Sequence, residues 1–238
     1  MSLDWIISIV ENNWHLFLRA MGITLLIALI GTLVGALIGF VIGIIDTIPK
    51  TKSPKQVLLK VVRFILACYV EFFRGTPMMV QAMVVYYGLD MALGIDLNIL
   101  TAGILVVSLN TGAYMAEIVR GGIVSIDKGQ YEAAQAVGMS HVQTMMYVVL
   151  PQVGRNILPA TGNQLIMNIK DTAVLSVIGV NELFFQTKSI AGANFRYFEA
   201  FFIASILYLI MTFTATRILR WMERRLDGPQ AFEKKEVA

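Results

Sequence analysis

The chain has 238 residues, 57% of them hydrophobic and only 15% charged, with a mean hydropathy of +0.70. Soluble domains carry about 25% charged residues, so the composition argues against a water-soluble enzyme and for an integral membrane protein. The 19 basic and 16 acidic residues leave a net charge of +3, too mild for a nucleic-acid partner; one cysteine (Cys68) and two distant histidines (His15, His141) offer neither a disulfide nor a metal cluster.

At the N-terminus, Asp4 and Glu11 stand where a cleavable signal would be basic. Trp5, Trp14 and Phe17 alternate with polar groups there, which predicts an interfacial segment over about 1–17. Ala20 to Ile45 is uncharged over 26 residues, long enough to span a bilayer with tilt. Further apolar stretches give five spans at about 18–45, 72–92, 97–119, 152–180 and 199–222. All are expected to be helices, because an open sheet edge cannot be satisfied in lipid. The first span carries Gly31, Gly35, Gly39 and Gly43 in one stripe, a surface on which another helix backbone can come close. That helix belongs either to the same chain or to a second subunit. In the second span Thr76-Pro77 should kink the helix, with Glu71 and Arg74 near its cytoplasmic end.

The loop over about 120–151 is not a flexible tether. Gln130 to Val137 is rich in helix formers, and Gly138 is a natural stop. Ser140 with Gln143 fits a capping box for a second short helix, which Pro151 should break before the fourth span. A helix, a glycine corner and a helix make a rigid knob, a docking element for a soluble partner. Beyond the fourth span, Asn181 to Arg196, with Glu182, Lys188 and Arg196, reads as an outer loop, either solvated or able to touch a binding protein. Residues 227–238 read as a charged cytoplasmic tail behind a single membrane domain over 1–226.

Fourteen of the 19 basic residues fall in the first loop, the 120–155 region and the C-terminal segment, against three (Arg19, Lys188, Arg196) on the other side. Basic residues favour the cytoplasm. The N-terminus is therefore expected outside and the C-terminus inside.

The knob also carries a family resemblance. Glu132-Ala133-Ala134, three residues, Gly138, nine residues, Val148, one residue and Leu150-Pro151 resemble the EAA signature of ABC importer permeases, with Val148 in place of isoleucine. Arg74-Gly75-Thr76-Pro77 followed by Val80-Gln81, Asn110 to Glu117, and Ile169 to Ser176 resemble the polar amino acid subfamily. The likeness covers roughly 20–225. It implies an all-α, type I importer permease fold in a bacterial cell membrane. It also implies a second permease subunit, identical or homologous, and a cytoplasmic ABC ATPase dimer that holds ATP and Mg. An extracellular or periplasmic binding protein would deliver the amino acid. Glu132, Ala133, Ala134, Gly138, His141, Leu150 and Pro151 would then couple to the ATPase.

The residues agree in part on their own. No Gly-Lys dipeptide occurs, so the chain has no Walker A loop, and it is expected to be neither an enzyme nor a cofactor carrier itself. Neither HExxH nor GxSxG occurs, which speaks against an intramembrane enzyme. A self-contained carrier or channel for small polar solutes is the alternative, distinguished by ATP dependence. Asn110, Tyr114 and Glu117 share one helical face, as do Asn163, Met167, Lys170 and Asp171. Charged groups at membrane depth face a cavity or a partner. With Thr111 and Thr172 beside them, these rows are the expected path for an amino acid zwitterion; the alternative is structural glue, with Lys170 paired to Asp171 or Glu117.

Overall fold

The computed structural model describes residues 3–49 and 55–227; Lys50 and Lys52 of the first loop, and the expected tail beyond Asp227, lie outside the described residues. Among the described residues there are helices and turns and no strand.

Helix α1 (Leu3–Thr47) is one unbroken rod of 45 residues. At 1.5 Å per residue it measures about 68 Å, roughly twice the hydrocarbon thickness of a bilayer. The expected interfacial segment over 1–17 is not a separate element. No proline and no glycine precedes Gly22, so nothing interrupts the winding. Ile9 and Phe17 are buried in one cluster with Leu183, Ile190 and Ile203, and the Arg196 guanidinium sits 4.6 Å from the centre of the Trp5 ring.

The glycine stripe finds its neighbour within the chain, on α4 (Ile99–Val124). A Cβ at Gly35 would stand 2.6 Å from Thr111 and one at Gly43 2.7 Å from Val119; at Gly31 and Gly39 it would run into Val107 and Met115. Both series rise together by four, so α1 and α4 lie parallel and in register, with no room for a side chain at the four glycines.

The return passage is composite. Helices α2 (Lys55–Gly75) and α3 (Met78–Leu93) are separated at Thr76–Pro77. The kink expected at Thr76-Pro77 is a full break, so the expected span over 72–92 is made of the end of α2 and nearly all of α3. Proline lacks an N–H and crowds the preceding turn, so Pro77 adopts an extended ψ of 135° and starts α3. The Arg63 guanidinium donates to the Ile45 carbonyl at 3.0 Å and to that of Ile48, closing the end of α1. The Tyr69 hydroxyl donates to the Leu109 carbonyl at 2.6 Å. Ala82 packs with Val106 further along. These pairs set α2 and α3 antiparallel to α4, with the Arg74-Gly75-Thr76-Pro77 motif midway along the passage rather than at its inner end.

Helix α7 (Leu150–Asp171) continues as a 3-10 turn over Thr172–Ile178, ended by Gly179 at φ +86. It also runs antiparallel to α4: Gly122 meets Val153 and Ile157, and Gly103 meets Leu175. The expected outer loop is instead α8 (Leu183–Asn194), and Glu182 is buried, not solvated. Its carboxylate caps α8, accepting from Phe184 N–H at 2.8 Å and Phe185 N–H at 2.7 Å, and takes the Tyr208 hydroxyl at 3.1 Å. That bond ties α8 to α9 (Tyr197–Asp227), which lies antiparallel to α7, with Leu219 against Gly162.

Three described helices are each long and apolar enough to cross a membrane: α1, α4 and α9. α3 is shorter than these, and α2 and α7 carry charged residues along their lengths, among them Arg63, Glu71 and Arg74 on α2 and Arg155, Lys170 and Asp171 on α7.

Candidate functional site

The break at Pro77 creates a polar site at mid-height. Phe73 stands four residues before Pro77, so its carbonyl loses its helical donor. Gln81 Nε2 supplies one at 2.8 Å and also reaches the Thr76 carbonyl at 2.9 Å; Asn110 Nδ2 reaches Phe73 at 3.3 Å and Gln81 Oε1 at 2.9 Å. Side chains from α3 and α4 thereby satisfy an interrupted backbone that lipid could not.

Beside this break lies a cavity of about 290 Å³ between α3, α4 and α7. Thr76, Asn110, Tyr114, Gln164, Met167 and Asp171 line it, and Asp171 brings its one carboxylate. The Arg74 guanidinium lies 5.6 Å from the centre of the Tyr114 ring. The wall behind is a second network: Asn168 Nδ2 donates to Thr32 Oγ1 at 2.8 Å and Thr111 Oγ1 at 2.9 Å, while Gln164 Nε2 donates to Asn168 Oδ1 at 3.2 Å. This node fastens α1, α4 and α7 together.

Of the residues expected along a pathway, Asn110, Tyr114 and Asp171 share this cavity. Thr111 is buried in the Asn168 node. Thr172 is also buried, its hydroxyl donating to the Ile169 carbonyl at 3.1 Å. Glu117 forms an ion pair with Arg120 at 2.8 Å, nearer the knob. The row Asn163, Met167, Lys170, Asp171 divides. Met167 and Asp171 face the cavity, while Asn163 and Lys170 turn toward α9. A helix turns about 100° per residue, so adjacent Lys170 and Asp171 diverge and do not pair. Gln81 belongs to the motif quoted for the family resemblance, whereas Gln164, Asn168 and Thr32 are site residues that the sequence patterns miss; uncharged polar groups inside apolar stretches are their signal.

The knob forms as its sequence dictates. Helix α5 (Lys128–Ala136) is capped by Asp127, which accepts from Gly129 N–H at 2.6 Å. It ends in a Schellman turn: Gly138, at φ +80, donates to Gln135 and Met139 to Ala134. Ser140 and Gln143 close a full capping box on α6 (His141–Thr144). The expected break at Pro151 does not occur. A π turn over Met145–Val149 changes the winding, and Pro151 enters the first turn of α7, where a missing N–H is tolerated. Glu132, Ala133 and His141 are exposed, Ala134 is buried, and Leu150 packs with the Met145–Val149 cluster. Burial raises the Tyr131 phenol above its ordinary pKa.

The described residues form an apolar helical bundle with a polar cavity at mid-height and a rigid two-helix knob at one end, an architecture suited to a membrane permease. The family described as the inner membrane component of binding-protein-dependent transport systems matches residues 56–228, and the chain belongs to it. The chain is 46% identical over 160 residues to the glutamine transport system permease protein GlnP of Escherichia coli (strain K12), covering 66% of this chain and 73% of that protein. It is 39% identical over 160 residues to the arginine transport system permease protein ArtQ of Bacillus subtilis (strain 168), covering 67% and 73%. The solved structure of an amino acid ABC transporter with histidines superposes with a TM-score of 0.82 at 37% identity, over 94% of this chain and 100% of that one. The protein is the permease subunit of an ABC importer.

Proposed function

We propose that this subunit passes polar amino acids into the cell through the cavity beside the Thr76–Pro77 break, driven by ATP hydrolysed on a separate subunit. The observation that carries the reading is the Asp171 carboxylate opening into a mid-height cavity next to Asn110 and Tyr114. A zwitterion needs an acceptor for its ammonium and donors for its carboxylate. Asp171 provides the first; the Tyr114 hydroxyl and the Arg74 guanidinium at the rim provide the second. The names of the relatives, which include glutamine and arginine systems, support the substrate class.

Five passages, with the N-terminus outside and the C-terminus in the cytoplasm, fit the helix directions: α1, α4 and α9 run one way, α2–α3 and α7 the other. The excess of basic residues on that side supports a cytoplasmic knob. There it meets the ATPase dimer, with Glu132 and His141 on the contact face. A second permease subunit and an external binding protein complete the complex, and the bilayer is that of a bacterial cell.

The test is reconstitution of the complex in vesicles with labelled amino acids. Uptake that needs the binding protein and ATP is expected, and this chain purified alone should hydrolyse none. Uptake by the lone chain without ATP would favour a self-contained carrier.

A further inference from the structure

On the flank turned away from Asp171, α7 and α9 enclose a groove of two adjoining chambers, about 350 and 270 Å³. Three cations line it: Lys170 from α7, and Arg217 and Arg220 from α9, against the single carboxylate of Glu223. Among the described residues the only ion pair is Arg120 with Glu117, so none of the three is matched. Lys170, Arg217 and Arg220 are exposed on the flank, and Arg217 lies 4.7 Å from the centre of the Phe213 ring. α7 begins at the knob and α9 ends beside it. The two arginines therefore sit toward the knob, and Lys170, which shares the groove with Leu209, Thr212 and Phe213, sits about two turns deeper.

Unmatched cations are costly at membrane depth, and basic pockets between helices on the cytoplasmic side suit anionic headgroups. We propose that this groove binds an anionic phospholipid. Arg217 and Arg220 hold its phosphate, Lys170 meets the ester oxygens deeper down, and an acyl chain lies along Leu209 and Phe213. The competing occupant is a second copy of this chain. A two-fold contact would set the same three cations against their own copies, so the charge favours lipid.

The experiment uses the assembled permease–ATPase complex, purified in detergent and exchanged into nanodiscs of phosphatidylcholine with and without phosphatidylglycerol. Bound lipid is counted by mass spectrometry. Wild type is expected to keep phosphatidylglycerol selectively. The double change Arg217→Gln, Arg220→Gln should lower its affinity roughly 30-fold, at about one unit of Lys/Arg attraction per residue removed. Arg217→Lys with Arg220→Lys keeps the charge and should retain most of the lipid; Arg155→Gln should lose none. Equal retention by the double glutamine variant, or no preference over phosphatidylcholine, overturns the proposal. So does efficient disulfide formation between two permease chains carrying Thr216→Cys in a Cys68→Ala background, a measurement that does not depend on how the glutamine variant folds.

Discussion

The Asn110 side-chain amide donates to Gln81 Oε1 at 2.9 Å, and both residues also donate to the Phe73 carbonyl that Pro77 leaves without a helical partner. Asn110 is thus part of the wall of the cavity as well as its lining. Leaving a buried acceptor unpaired costs about 1–3 kcal/mol. Gln81→Leu should therefore lower the melting temperature of the purified complex, with part of any transport loss following from instability. An unchanged melting temperature would mean that the break closes without Gln81.

Asp171 behaves differently, because no basic side chain of the described residues pairs with it. Asp171→Asn should cut uptake by roughly tenfold or more, the worth of one charge-assisted contact. Yield of assembled complex and basal ATP hydrolysis should hold. A fall in assembly instead of uptake would make Asp171 a structural residue.

At Gly138 the backbone is left-handed, and a Cβ there would meet nothing within 4 Å. The constraint is torsional and not spatial. Gly138→Val should cost about 1–2 kcal/mol or more and reduce copurification of the ATPase, whereas Gly138→Asn should be tolerated. Pull-down of the ATPase by each variant checks this; equal recovery by the valine variant contradicts the corner's role.

Gly39 is the opposite case. Its Cβ would collide with Met115 and with the Ala116 backbone nitrogen, which cannot move aside. Gly39→Ala should destabilise by about 1–3 kcal/mol through overpacking. Gly22→Ala, on the same helix with open space around it, should be neutral or slightly stabilising. Thermal unfolding of the pair in one detergent makes the comparison; equal shifts would mean that α1 and α4 are not in close contact.

Local chemistry is legible in the sequence wherever one residue type dictates one geometry. Gly138, the Ser140–Gln143 box and the glycine stripe are of that kind. The stripe's partner is not legible, since spacing by four on α1 says nothing of which helix bears Val107, Thr111, Met115 and Val119. The helical rows fail where one row serves two faces: Lys170 and Asp171 are neighbours in sequence and separate in space. Pro151 misleads because proline breaks the interior of an α-helix, whereas here the winding changes at the π turn over Met145–Val149 and Pro151 falls in the first turn of α7. Asn168 escapes notice because an uncharged amide scarcely dents hydropathy, although its contacts reach 136 residues away.

The glycine contact between α1 and α4 also decides which parts of the molecule can move. A slide of one or two ångströms along the stripe would drive the branched side chains of Val107, Thr111 and Val119 onto backbone. The next matching register lies a full four residues, about 6 Å, further on. These two helices therefore travel together as a stiff mast. Any exposure of Asp171 to one side of the membrane and then the other has to come from elements whose hydrogen-bond ladders are already interrupted: the Thr76–Pro77 joint, the π turn at Met145–Val149 and the 3-10 turn at Thr172–Ile178. Two of these joints flank the cavity, and the third joins it to the knob, so a push on the knob meets a hinge before it meets the mast.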